Sequence, residues 1–444
     1  MNLKNLLMYI FFILFLLFSC QNSNNIPSSF ISGNVVNAGN YPSIQDAVDA
    51  LPDEGGTVFI PADTYKISEP IIVTKSDVTL HGAGSGTLLL NISEEGKNTI
   101  ELKGERQPEK SRSELEIWRV KVCNMHLKGN EKCGHGIYAQ YVNEISLIET
   151  WVDYHGKSGI YLDYCYENPR VSDNNIAYNK ENGILIDGCH DIVVSANQLE
   201  ENGIGVYAKD IFNATITGNN IDDHTKHCIQ FVNALGSIIT GNMLENCKEA
   251  SVVLDEKCDG IVLTGNILRQ PGELRIINAK GVTITGNAFD MSNRNSIETE
   301  GSNFITISGN IFSGGPDDRI YGIVMKDVND VSISGNTMVK PLEGGIYILG
   351  NENKYINITG NTIKNPSEKS LNKFSGIFLQ NTSHSIISYN IIIDDRSTKI
   401  MKSAIEETGN SDYNIITYNR VNKGTSNDII ITGKNTRKEG NFVH

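Results

Sequence analysis

Gly281-Val282-Thr283-Ile284-Thr285-Gly286-Asn287 decides the fold. Val282 and Ile284 alternate with Thr283 and Thr285, the period-2 pattern of a strand that buries its branched side chains on one face. The asparagine that closes it returns along the chain at Asn174, Asn197, Asn219, Asn242, Asn266, Asn287, Asn310, Asn336, Asn361, Asn390 and Asn419. Its steps are 23, 22, 23, 24, 21, 23, 26, 25, 29 and 29 residues. So steady a period marks a solenoid, whose units bury their apolar faces only by stacking on one another.

Each unit also holds a second alternating segment, as in Gly159-Ile160-Tyr161-Leu162-Asp163, Gly183-Ile184-Leu185-Ile186-Asp187 and Gly345-Ile346-Tyr347-Ile348. A third, shorter strand is expected after each asparagine. These strands predict an all-β chain, a single-stranded parallel β-helix whose coils stack at about 4.8 Å. The asparagines then form an internal ladder of amides that satisfies turn backbone. Going backwards the period continues through Glu149 and Asn124 at steps of 25, with Glu149 where an amide is expected. Cys165, Cys189 and Cys258 follow first strands and should stack inward. Tyr41 to Leu51 has a helix-starting Ser43 and apolar residues at 44, 47, 48 and 51, which predicts a short capping helix over the open N-terminal edge.

The chain has 444 residues, 39% of them apolar and 20% charged, which argues against disorder. With 38 Lys plus Arg against 52 Asp plus Glu, the formal charge of -14 argues against nucleic acid as a partner. Lys4 precedes an apolar run from Leu6 to Phe18, which is too short to cross a bilayer and reads as a secretion signal. Leu17-Phe18-Ser19-Cys20 resembles the bacterial lipoprotein cleavage box, which implies a lipid, palmitate included, on Cys20 and anchoring in the cell envelope at the outer membrane. The expected organisation is a signal peptide over 1–19, an acylated N-terminus and tether over 20–39, cap and first coils over 40–113, β-helix repeats over 114–435 and a tail over 436–444. Seven further cysteines are widely spaced and read as buried fillers.

Gly56-Thr57-Val58-Phe59-Ile60-Pro61-Ala62-Asp63-Thr64-Tyr65 and Leu80-His81-Gly82-Ala83-Gly84-Ser85-Gly86-Thr87, following the cap, closely resemble the opening of the pectate-lyase-like superfamily of right-handed β-helices. With the later repeats the resemblance covers about residues 40 to 435. It implies a right-handed helix and a long carbohydrate as partner. The superfamily includes pectate and alginate lyases, mannuronan C5-epimerases, polygalacturonase-like hydrolases and tailspikes, so the activity stays open among them.

Outward positions depart most from ordinary surface between 138 and 190. Asp163 and Asp187 should stand one coil apart, as an acid-base pair or as ligands of Ca²⁺. Arg170 should align with Val193 on the same wall and neutralise a uronate carboxylate. Tyr154 and His155 precede the Gly159 strand, where His155 could take a proton. Its segment is loosely similar to the active-site turn of alginate epimerases, but their Asp-Pro-His-Glu signature is absent. The favoured chemistry is lyase action: carboxylate neutralisation by Arg170 with Lys157 or calcium, C5 proton removal by His155 or a tyrosine, and β-elimination. Epimerisation shares the first step, inverting hydrolysis would use Asp153, Asp163 and Asp187, and a non-catalytic binding protein would keep only the aromatic wall. Tyr138, Tyr161 and Tyr166 would be sugar platforms, with His190 beside them. Asp255, Glu256, Lys326, Asp327, Gln380 and Glu407 read as surface, Asp317-Asp318 as too few oxygens for calcium, and the chain as a monomer.

Overall fold

The computed structural model describes residues 34–106, 115–292, 294–313, 321–368 and 370–444. Cys20, the signal segment and Asp317-Asp318 lie outside them. The chain is a parallel β-solenoid with three strands per coil, as in Asn182–Asp187, Val193–Ser195 and Gln198–Glu200. Among the described residues the first strands form a 15-stranded parallel sheet, while the second and third strands of successive coils belong to a 32-stranded one.

Register follows the repeat. Ile160 pairs with Ile184, then Val206, Ile229 and Val252, all buried. Burial of such columns is the main favourable term, at roughly 25 cal/mol per Å² of apolar surface. Larger side chains stack in the same way, as Phe289 and Phe312 do with ring centres 4.8 Å apart.

The asparagine ladder is present. Asn266 accepts from the amide nitrogen and side chain of Asn242, each at 3.0 Å, and donates to Ile239 O at 2.9 Å and Asn287 Oδ1 at 3.0 Å. At its N-terminal end Thr150, not Glu149, takes the ladder position, with its backbone N–H and hydroxyl both donating to Asn174 Oδ1. Glu149 is exposed in the left-handed turn beside it, at φ 53°. At the other end Asn419 donates to Asn441, and Arg437–Glu439 and Phe442–Val443 pair with the preceding coil. Residues 436–444 are therefore helix repeat and not tail.

The cap is a helix, Ile44–Asp49, with Ser43 accepting from Asp46 N at 3.1 Å and Ile44, Ala47 and Val48 buried. Gln45 donates to Ile72 O at 3.1 Å and accepts from Ile72 N at 2.7 Å, so the helix satisfies the open edge of Ile71–Val73. Cys165 and Cys189 stack inward as free thiols, whereas Cys228 and Cys247 form a disulfide that the spacing did not suggest. Glu407 is not surface. Pairing with Leu379 places it in the core column, where Asn414, Thr432 N, Gly433 N and Thr436 all donate to its carboxylate.

Candidate functional site

The outer face of the 15-stranded sheet carries two adjacent rows set by strand register. Glu101, Tyr138, Tyr161, Leu185 and Tyr207 make one; Lys103, Gln140, Asp163, Asp187 and Lys209 make the other. Tyr138 and Tyr161 are half-buried, with ring centres 5.2 Å apart, and His135 packs 5.2 Å from Tyr161. Asp163 stands over Asp187 as expected, but each acid already has donors. Tyr138 OH and Gln140 Nε2 both donate to Asp163 Oδ2 at 2.7 Å, and Lys209 Nζ lies 3.0 Å from Asp187. The phenols are not bases: burial first, then Asp163, pushes both Tyr138 and Tyr161 far above the ordinary tyrosine value.

At the corner where a third strand turns into the next first strand, a groove of about 690 Å³ is lined by Lys128, Tyr154, Tyr178, Lys180 and Glu201, among others. Tyr154 and Tyr178 are stacked at 4.9 Å with planes 7° apart, and Lys128 Nζ sits 4.9 Å from the Tyr154 ring centre. Asp153 is buried with its Oδ2 3.0 Å from His126 Nε2, and His126 packs against Trp151 at 5.6 Å.

His155 lines this corner but is not an exposed base. Its side chain is buried, its N–H and Nδ1 face Asn179 Oδ1 at 3.1 and 3.3 Å, and Thr99 Oγ1 lies 3.0 Å from Nε2. Asn179 and Asn202 repeat that bonding in the next coils, and Asn202 N donates to His224 Nδ1 at 3.0 Å. His155 is thus a rung of a second internal ladder. Burial pushes its pKa down to about 4, against a weaker upward pull from Asn179 and Asp153. Burial, then Lys157, pushes His135 down to about 4 as well.

The sequence-derived residues do not share one wall. Tyr138, Tyr161, Asp163 and Asp187 face out from the 15-stranded sheet; Asp153, Tyr154, His155 and the exposed loop residue Lys157 belong to the corner before it. Arg170 aligns with Val193 as expected and is exposed, but its strand, Arg170–Ser172, lies in the 32-stranded sheet. It therefore cannot neutralise a group held beside Asp163 and Asp187. Tyr166 is buried, with Arg106 5.8 Å from its ring centre and His190 packed edge-on at 4.8 Å, so it is a packing residue and not a platform. His126, Lys128, Tyr178, Gln140 and Lys209 were missed. The 25-residue step from His126 to Trp151 was the signal available for the first of them.

Asp163 and Asp187 do not form a cation site with a third ligand. Among the described residues, the group of at least three His, Cys, Asp or Glu side chains close enough to share an ion is Glu200, Glu201 and Asp223, all carboxylates.

Residues 90–270 and 256–371 match the family model described as periplasmic copper-binding protein (NosD). No curated protein matches the chain. Among solved structures, the chain is similar to PfbA, a surface adhesin of Streptococcus pneumoniae, at 12% identity over 82% of this chain and 93% of that one, with a TM-score of 0.51. The A-module of the Azotobacter vinelandii mannuronan C-5 epimerase AlgE6 matches at 14% identity over 92% of this chain and 99% of that one, with a TM-score of 0.39. A family 28 exopolygalacturonase of Yersinia enterocolitica matches at 11% identity over 92% and 79%, with a TM-score of 0.44. At such identities the likeness speaks for the fold alone.

Proposed function

The chain belongs to the NosD family of right-handed β-helix proteins, and from that premise we propose that it is a carbohydrate protein of the cell envelope that seats an extended polysaccharide along the outer face of its 15-stranded sheet. One observation carries this reading: the row of Tyr138, Tyr161, Leu185 and Tyr207, aromatic but for Leu185, runs in register beside the polar row of Gln140, Asp163, Asp187 and Lys209. Rings offer apolar faces to the C–H side of a sugar, and the polar row offers donors and acceptors to its hydroxyls. Because the rows repeat once per coil, they suit a polymer lying along the solenoid axis. Binding of neutral and uronic-acid polysaccharides by calorimetry tests it. Tyr161→Ala should weaken binding by tenfold or more, and equal affinity for wild type and variant would refute the reading.

Lyase action is a second reading, favoured by the His126–Asp153 pair beside Lys128. In this scheme Asp153 orients the imidazole, Lys128 neutralises a uronate carboxylate and His126 takes the C5 proton. The freed electron pair forms the C4–C5 double bond as the C4–O bond breaks, and the departing oxygen takes up a proton. These roles replace those expected of His155 and Arg170. New ultraviolet-absorbing ends that vanish in His126→Ala would support elimination. Reducing ends without the chromophore would point to hydrolysis, and a changed epimer ratio by NMR to epimerisation.

The family's description names copper, which prefers imidazole, thiolate and thioether donors. The described residues do not fit it. The clustered donors are carboxylates, His155 is committed to a ladder, and the five free cysteines are buried. Copper takes no part in either reading.

A further inference from the structure

A different column of outward residues, on the 32-stranded sheet, breaks the rule that left-handed turn positions go to glycine, asparagine or aspartate. Asp191, Asn213, Gly236, Gly260 and Gly281 obey it in successive coils, as register through their preceding residues shows. The next coils place Phe304, Asp330, Tyr355, His384 and Tyr413 at the same position, all with φ between 54° and 59°. Bulky rings are disfavoured at such φ, so backbone geometry does not account for them. Nor does core packing, since Phe304, Tyr355 and Tyr413 are each more than half exposed. His384 fills its rung, with ring centres 6.0 Å from Tyr355 and 5.2 Å from Tyr413.

One rung is missing. Asp330 stands between Phe304 and Tyr355, and a cavity of about 330 Å³ opens there, lined by both rings, Asp330 and the ion-paired Glu352 and Lys354. Two coil rises separate the flanking residues, or roughly 9 to 10 Å at the usual strand spacing. One ring fits a gap of that size, as His384 does between Tyr355 and Tyr413, and here a carboxylate, Asp330, lines it. A puckered sugar ring presents axial C–H groups on both faces and fills it, with Asp330 accepting from its hydroxyls.

We propose that this slot binds one pyranose ring between Phe304 and Tyr355, as a carbohydrate site separate from the face of the 15-stranded sheet. It stands on the chemistry of the slot and not on the reading of that face. The test uses the full chain carrying Tyr138→Ala and Tyr161→Ala, which removes the first face. Glucose, mannose and galactose hexasaccharides are titrated by calorimetry and by saturation-transfer NMR. At least one should bind, and Asp330→Phe, which completes the aromatic column, should weaken it tenfold or more without lowering the thermal midpoint. Tyr355→Ala should weaken it similarly by opening the slot, and is the deciding variant if Asp330→Phe does not fold. Binding unchanged by either substitution, no binding by any of the three sugars, or preferential binding of indole would overturn the proposal.

Discussion

His155 shows how a residue's chemistry is set by the coil that holds it. In the sequence it stands next to tyrosine, ahead of an outward acid, and reads as a base. In the structure it is one rung above Asn179 and carries the same bonds as an asparagine. Its folded pKa of about 4 lies below the ordinary 6.5, as do those of His135 and His224, in each case chiefly through burial. Between those values the unfolded chain holds more protons than the folded one. The stability these groups contribute is therefore complete above pH 6.5 and is lost as pH falls toward 4, on the order of 3 kcal/mol for each. Urea unfolding at pH 7, 5.5 and 4.5 should show that decline. His155→Asn should keep the fold and make the decline shallower, since it removes one of several histidines held down by burial, whereas His155→Ala should cost roughly 1 to 3 kcal/mol at pH 7 by removing the buried side-chain hydrogen bonds to Thr99 and Asn179. An unchanged slope in His155→Asn would show that the imidazole titrates normally.

At the scale of the strand, register was legible and corners were not. Alternation placed Asp163 over Asp187 and Arg170 over Val193, because pairing in a parallel sheet repeats the same offset at every coil. It could not say that the turn between Asp163 and Arg170 carries the chain from one sheet to another, since a residue's outward direction does not reveal which wall it leaves. The one-residue error at Glu149 has the same origin: the left-handed turn residue precedes the ladder position, and only Gly-Asn in later coils makes the order visible. Cys228 and Cys247 were illegible as a pair because they lie 19 residues apart, within one coil and off the stacking period. The ladder itself gives a sharp expectation. Asn266→Ala removes the acceptor for two donors of Asn242 and the donor to Ile239 O, all buried, and should cost about 2 to 4 kcal/mol by denaturant unfolding. Asn220→Ala, on an exposed neighbouring position, should cost less than about 0.5 kcal/mol. Equal effects would mean that the ladder amides are no better satisfied than those exposed to water.

The whole molecule is a stack in which each coil touches only the next, so its ends decide how far order extends. The N-terminal end is closed by the helix Ile44–Asp49, whose Gln45 occupies the first strand's free backbone. The lipid expected on Cys20 would leave this capped end nearest the membrane. Cys20→Ser should therefore move the protein from the membrane to the soluble fraction without changing its melting temperature, and membrane retention would remove the anchor. The C-terminal end has a different device. Glu407 is a carboxylate inside the apolar column, tolerable only because four donors reach it, one of them Thr436 Oγ1 at 2.8 Å. The final ladder rung, Asn441, completes Asn419 in the same way. Deleting 436–444 removes Thr436, one of the four donors to Glu407, takes the acceptor from Asn419, and strips the last strands that cover the coil from Ile405 to Val421. Amide exchange in the coil from Ile405 to Val421 should then speed up by at least tenfold, while the cap helix and the coils around Asn219 keep their protection, because no contact carries the loss that far. Uniform acceleration along the chain would show a single cooperative core in place of a stack of neighbours.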